Sequence, residues 1–204
     1  MKEKTLMTAD TLILASLSSY RAQLLKKAGL SFSIEGASFD EREVEKTAEV
    51  KTPKELCCFL ASAKAKNVSD RFPDALVLGC DQVLDLEGQI FHKVTSKKEA
   101  RQRLYALSGK THSLHSAVAL FQNGQEIWVE AFSAHMSIRP LSPEFIERYL
   151  MRVGTDVLSS VGVYQIEGEG IHLFEKIDGD FFTIIGLPLL PLLVKLRHLG
   201  VIDG

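Results

Sequence analysis

The segment ALVLGCDQV (residues 75–83) runs apolar and then sets a carboxylate, Asp81, beside an amide, Gln82. The apolar run predicts a buried strand over 75–80, with Asp81 held at its carboxyl end. Either the Asp81-Gln82 pair caps a turn, or the strand delivers an acid to a working site, since ligand sites in open α/β sheets gather outside such strand ends. Earlier in the chain, ASLSSYR (15–21) brings hydroxyls and backbone amides to a helix start. Unpaired N–H groups and the helix dipole favour an anion there, and Arg21 can add a bidentate phosphate contact. The plain alternative is a serine N-cap beside a solvated arginine. Lys64 falls near the polar edge of a helical apolar stripe, and Lys93 follows the strand pattern GQIFHK. Singly, each is an ordinary surface lysine. Together with Asp81, Arg21 and the serines they make an inventory suited to phosphate. Asp40, Glu41, Glu43 and Glu45 cluster in what reads as a surface loop, either a solvated patch or a cation site.

Two patterns drop out. SGKTH (108–112) mimics the end of a phosphate-binding P-loop, but the required leading glycine is Leu104, and a helix precedes the segment where a strand is needed. Gly109 reads better as a helix C-cap. The six histidines show no metal-binding spacing, so His112 and His115 read as structural.

The elements that must position these groups follow in order. TLILAS is a first strand, and YRAQLLKKAG is a helix capped by Ser18 or Ser19 and ended by Gly29. Residues 31–51 read as a strand plus a loop. TPKELCCFLASAKAKNV opens with Thr52, Pro53 and Glu55, a capping box with proline at the first helical position. Its stripe is Leu56, Phe59, Leu60 and Ala63. A hairpin follows through Glu87-Gly88, then a helix starting at Ser96 with Glu99. Asn123-Gly124 joins two long β-rich runs, the strongest short hairpin signal. SPEFIERYLMRVG is a helix, IHLFEKI a late strand, and a last helix ends near Gly200. Helices alternate with strands around a central meander, which predicts an α/β fold with a mixed twisted sheet flanked by helices.

The chain has 204 residues, 46% hydrophobic and 25% charged, with a net charge of -2. That suits one domain over 1–204 with a sizeable core. The charge gives no electrostatic case for nucleic acid or an anionic membrane. The N-terminus lacks a signal-peptide h-region, and the stretch IIGLPLLPLLVKL is too interrupted to span a bilayer. Three cysteines in no framework spacing fit a cytoplasmic protein.

The ordered motifs resemble those of the Maf-like nucleoside triphosphate pyrophosphatases, once described as septum-formation proteins. LASLSSYRAQLLKKAGLSF resembles the family opening A-S-x-S-x-x-R-x-x-L-L. Asp40-Glu41 stands at its D-E, ASAKA with Lys64 at its A-x-x-K-A helix, and GCDQV at its G-x-D-[TQ]-V. IFHKV stands where members often read G-K-P, with Val94 in place of the proline. VYQIEGEG and LFEKIDGDFFTIIGLPL resemble the closing signature, in wording similar to alphaproteobacterial members. The resemblance runs from about Leu12 to Leu199.

It implies two lobes around a central cleft, as in inosine-triphosphatase-like enzymes, commonly as a homodimer. It also implies hydrolysis of a nucleoside triphosphate to the monophosphate and pyrophosphate with Mg²⁺ or Mn²⁺. Carried over by position, Asp81, Lys64 and Lys93 are catalytic, while Ser16, Ser18 and Arg21 hold the triphosphate. Glu41 and Asp81 place the metal, and whether Asp81 acts as base or ligand stays open. Tyr20, Gln82 and Glu167 depart from the thymidine- and uridine-triphosphate pattern of arginine, threonine and glutamine. Gln82 and Glu167 instead resemble the branch acting on 7-methyl-GTP, with Tyr20 at the place of its tryptophan. A tyrosine can stack on a base, and a glutamate can meet a guanine N–H edge or a methylated, cationic ring. The alternatives are an inosine-triphosphatase-type enzyme and a non-catalytic nucleotide-binding regulator of cell division.

Overall fold

The computed structural model describes residues 11–203; the expectation about a signal peptide concerns residues 1–16, of which 1–10 lie outside that range. Seven strands form one mixed sheet in the order β2-β1-β3-β5-β6-β7, with β4 paired to β3 alone. Strands β1 (Leu12–Ala15) and β2 (Ser33–Ile34) lie parallel to each other, and β1 runs parallel to β3 (Leu76–Leu86). Strands β4 (Gln89–Phe91), β5 (Thr111–Gln122), β6 (Gln125–Ile138) and β7 (Phe174–Asp178) join antiparallel. Glu87-Gly88 and Asn123-Gly124 turn the two hairpins with positive φ at both residues, as the primed turns require.

The helices are α1 (Ser19–Lys27), α2 (Glu41–Lys46), α3 (Pro53–Ser69), α4 (Lys97–Leu107), α5 (Pro143–Val153), α6 (Phe181–Ile184) and α7 (Leu189–His198). Because side chains alternate along a strand, β3 serves both faces. Val77 and Val83 pack with Leu56, Leu60 and Ala61 of α3. Leu78 and Cys80 meet Leu25 of α1 and Leu192 of α7 on the other face. Further along, Leu84 and Leu86 join Leu104, Leu107, Ile146 and Tyr149 of α4 and α5. The expected two lobes therefore share one sheet, and β3 and β5 run through both.

Four sequence expectations shift. Strand β3 does not stop at Cys80. Pairing continues through Asp81↔Ala117 and on to Asp85↔Ser113, so Asp81 lies in mid-strand. What ends there is β1, whose pairing with β3 stops at Ala15↔Gly79. The acidic loop is the short helix α2: Asp40 accepts a hydrogen bond from Arg42 N, and acidic residues suit a helix start. Lys64 is not on a polar edge. Helix α3 buries Leu56, Cys57, Leu60, Ala61, Lys64, Ala65 and Val68, while Phe59 and Ala63 are only half-buried. The late strand is shorter than expected, since Glu169–Leu173 form a 3₁₀ turn before β7.

The depth of α3 follows from Gly79. A Cβ there would stand 2.2 Å from the Ala61 carbonyl oxygen and 2.8 Å from Ala65 Cβ. The contact is backbone against backbone, and it brings the turn that bears Lys64 onto the strand that bears Asp81. Gly79→Ala is expected to lower stability by about 1–3 kcal/mol, as overpacking does, and to cut activity by displacing Lys64. Denaturant unfolding and steady-state rates check this; wild-type values in both would show that α3 can yield at no cost.

His112 and His115 make structural hydrogen bonds, as expected. His115 shares hydrogen bonds with Asp85 Oδ1 at 3.0 Å and Ser133 Oγ at 2.8 Å. His112 is buried and shares one with the Tyr164 hydroxyl at 2.5 Å. Burial pushes its pKa down to about 4, so the ring is neutral at physiological pH.

Candidate active site

Between the end of β1 and the start of β4, the edge of β3 is left open, and a half-open cleft of about 600 Å³ lies there. That volume suits a small-molecule ligand. The cleft brings together Ser16, Ser18, Tyr20, Arg21, Glu41, Lys64, Asp81, Gln82, Lys93 and Glu167. Every residue that the family resemblance assigns to catalysis, phosphate, metal or base lies on its walls; of the acidic cluster, Glu41 and Glu45 line it and Asp40 and Glu43 do not.

Asp81 is buried on the α3 face of the sheet. Its Oδ1 accepts from Lys64 Nζ at 2.7 Å, and the same ammonium lies 2.9 Å from Glu41 Oε2. Burial pushes the Asp81 carboxyl above its ordinary pKa, which Lys64 and Arg21 oppose without reversing. For Lys64, burial is the largest influence and works against the charge, but Asp81 and Glu41 together outweigh it and the ammonium is held above its usual value. The result is a basic carboxylate already paired with one cation.

Arg21 comes from the first turns of α1 and is fully engaged on one side. Nε donates to Gly186 O at 2.8 Å, and Nη1 donates to Cys80 O at 2.9 Å and Ser16 Oγ at 3.0 Å. It takes the Cys80 carbonyl just past the point where β1 stops pairing. Only Nη2 has no partner among the described residues. Ser18 holds the N-cap position, yet its side chain makes no capping bond; its backbone N–H donates to Ser16 Oγ instead. The sequence placed the cap correctly, and the structure leaves the Ser18 hydroxyl available. Lys93 stays exposed at the rim. Desolvation by the walls, with Arg21 next, lowers its pKa.

Helix α2 adds a second carboxylate at this end of the cleft. Glu41, in the first turn of α2, reaches Lys64 across the cleft. Two carboxylates, Glu41 and Asp81, thus converge on one point. Mg²⁺ typically takes one or two carboxylates together with phosphate and water oxygens, and this donor set suits it; among the described residues no group of three or more acidic, histidine or cysteine side chains forms a complete protein cage.

At the other end, Tyr20 receives a hydrogen bond on its hydroxyl from Gln165 Nε2. Gln165 was not singled out from the sequence, although it stands in the VYQIEGEG motif beside Glu167. Glu167 itself is exposed at the cleft wall. Gln82 projects from β3 on the face opposite Asp81. Its amide donates to Ser116 Oγ at 3.0 Å and Ile184 O at 2.9 Å, which ties α6 to the sheet and leaves its oxygen toward Gly186. The loop carrying Tyr164 and Gln165 is strained: Val163 is buried at φ 61°, a genuine outlier for a β-branched residue. Tyr149 Oη donates to Val163 O at 3.1 Å and holds it there. Strain of this kind persists where surroundings over-determine it.

A deep carboxylate among cations, open at a nucleotide-sized cleft, suits enzymes that hydrolyse a phosphoanhydride of nucleoside triphosphates, the nucleotide pyrophosphatases. Comparison with known families agrees. The model described as Maf-like protein matches residues 11–199, and the chain belongs to that family. It is 88% identical over 196 residues to the 7-methyl-GTP pyrophosphatase of Bartonella quintana, covering 96% of this chain and 99% of that protein. The 7-methyl-GTP pyrophosphatase of Bartonella henselae is 83% identical, covering 97% and 100%. That of Rhizobium johnstonii is 54% identical, covering 95% and 98%. The chain is accordingly a nucleoside triphosphate pyrophosphatase, as its motifs led one to expect. Among the described residues, no helix is long and apolar enough to cross a membrane.

Proposed function

We propose that the enzyme prefers 7-methyl-GTP, converting it to the monophosphate and pyrophosphate. One observation carries the choice of base: Tyr20 is tied to Gln165, two residues from Glu167, on the same cleft. An aromatic face beside a carboxylate attracts a ring that carries positive charge, and N7-methylation gives guanine that charge. The names of the Bartonella and Rhizobium relatives point the same way.

Arg21, Lys93, Ser16 and Ser18 hold the triphosphate. Water attacks the α-phosphorus, one P–O bond forms, and the bridging α–β P–O bond breaks with its electron pair leaving on pyrophosphate. Asp81 takes the proton of the attacking water at Oδ2, the oxygen not bound to Lys64. Glu41 and Asp81 would hold Mg²⁺ or Mn²⁺, which when bound supplies neutralising charge for the phosphates. We place the enzyme in the cytoplasm, in keeping with three free cysteines. A homodimer is proposed on the family resemblance.

A panel of GTP, 7-methyl-GTP, dTTP, UTP and ITP with Mg²⁺ or Mn²⁺, followed by pyrophosphate release, tests the substrate. The expected result is highest kcat/KM for 7-methyl-GTP, with Glu167→Gln narrowing its lead over GTP. Equal rates on GTP and 7-methyl-GTP would remove the base assignment while leaving the reaction intact.

A further inference from the structure

Arg103 lies in the middle of α4 and does not line the cleft. Its donors go to backbone carbonyls rather than to a carboxylate. Nη1 donates to Val161 O, and Nη2 donates to His92 O at 2.8 Å. The guanidinium also lies over the Phe91 ring, 4.5 Å from its centroid. Burial lowers its pKa, yet arginine keeps its charge in proteins. A half-buried charge is thus used entirely on two loops distant in sequence from each other.

Both loops line the cleft. His92 precedes Lys93, the rim amine, and Val161 opens the strained segment that carries Tyr164, Gln165 and Glu167. The planar fork of a guanidinium fixes the spacing of the two carbonyls it bonds, and charge assistance makes both bonds strong. Tyr149 and His112 hold the second loop from beneath, through Val163 O and the Tyr164 hydroxyl. Arg103 alone among these also grips the loop of Lys93.

We propose that Arg103 is a positioning residue that sets Lys93 against the segment Val161–Glu167, so that the phosphate amine and the base-facing residues engage one nucleotide together. This rests on the reading of Lys93 as a phosphate contact. A lysine cannot replace it, because a single ammonium lacks the fork that spans both carbonyls.

The test is a double-mutant cycle on the full chain with 7-methyl-GTP and Mg²⁺. Arg103→Lys is expected to lower kcat/KM by about 10- to 100-fold, the scale of a small misplacement at a distance, and chiefly through kcat. In a Lys93→Ala background, the same change is expected to cost less than about twofold, since the two residues act as one unit. Arg103→Gln serves as the second variant, with circular dichroism and thermal melting used to confirm that each is folded. Losses that multiply, or an Arg103→Lys enzyme within about twofold of wild type, would overturn the proposal. If the wild type ignores 7-methyl-GTP and hydrolyses another nucleotide, the substrate reading fails, and the cycle run on that nucleotide still decides the role of Arg103.

Discussion

Asp81→Asn is expected to lower kcat by about 10²–10⁴-fold, the range that a positioned general base contributes. The substitution keeps the shape and leaves an oxygen for Lys64, so the change isolates the basic function. Little of the loss should come from folding. Lys64 retains Glu41 at 2.9 Å, and the strand is held by its pairing with Ala117 on β5. The pH profile sharpens the prediction. On the proposed mechanism activity requires Asp81 deprotonated, and burial raises its pKa above the ordinary carboxylate value. The acid limb of kcat/KM should therefore lie above the range of a free aspartate and vanish in Asp81→Asn. A metal titration separates the two roles of the carboxylate. If Asp81 is the base, raising Mn²⁺ leaves the variant slow; if it is chiefly a ligand, raising Mn²⁺ restores turnover. Full activity in Asp81→Asn would rule out both.

The sequence revealed the membership of this site better than its geometry. Capping boxes, primed turns and apolar runs depend on neighbours in the chain, so Thr52 with Glu55, and Asn123 with Gly124, were readable in advance. The position of Asp81 was not. Whether a strand ends at an acid depends on its partners, and β3 continues because β5 pairs with it across Asp81, a contact separated by more than a helix and a hairpin in sequence. Lys64 was misjudged for a related reason. A lysine in an apolar stripe looks like an edge residue until a buried carboxylate is known to face it. Gly79 let α3 approach closely enough for that to happen, and a lone glycine in a strand pattern signals close approach without saying to what. Gln165 and Arg103 escaped notice because their partners, the Tyr20 hydroxyl and the carbonyls of His92 and Val161, come together only through the fold.

Lys64→Met is expected to be the most damaging single change to the protein as a whole. Methionine keeps the stem and fills its space, so what disappears is the charge against Asp81. Breaking one side of a buried ion pair costs about 3–5 kcal/mol, and here the carboxylate left behind is buried while Glu41, the other partner, is largely exposed. The sign of the pH dependence follows. In the folded variant the Asp81 pKa rises further, because the ammonium that lowered it is gone. Between the unfolded carboxylate value and that raised value, the native state binds more protons than the unfolded chain, so stability falls as pH rises through the window. The deficit against wild type should thus be small at about pH 3, where both states largely carry the proton, and larger at about pH 8. Denaturant midpoints at the two pH values measure it. Activity should show the same shift, with the acid limb of kcat/KM displaced to higher pH and a lower plateau. A deficit that is equal at both pH values, with an unmoved acid limb, would mean that Lys64 serves the substrate alone and does not set the charge state of Asp81.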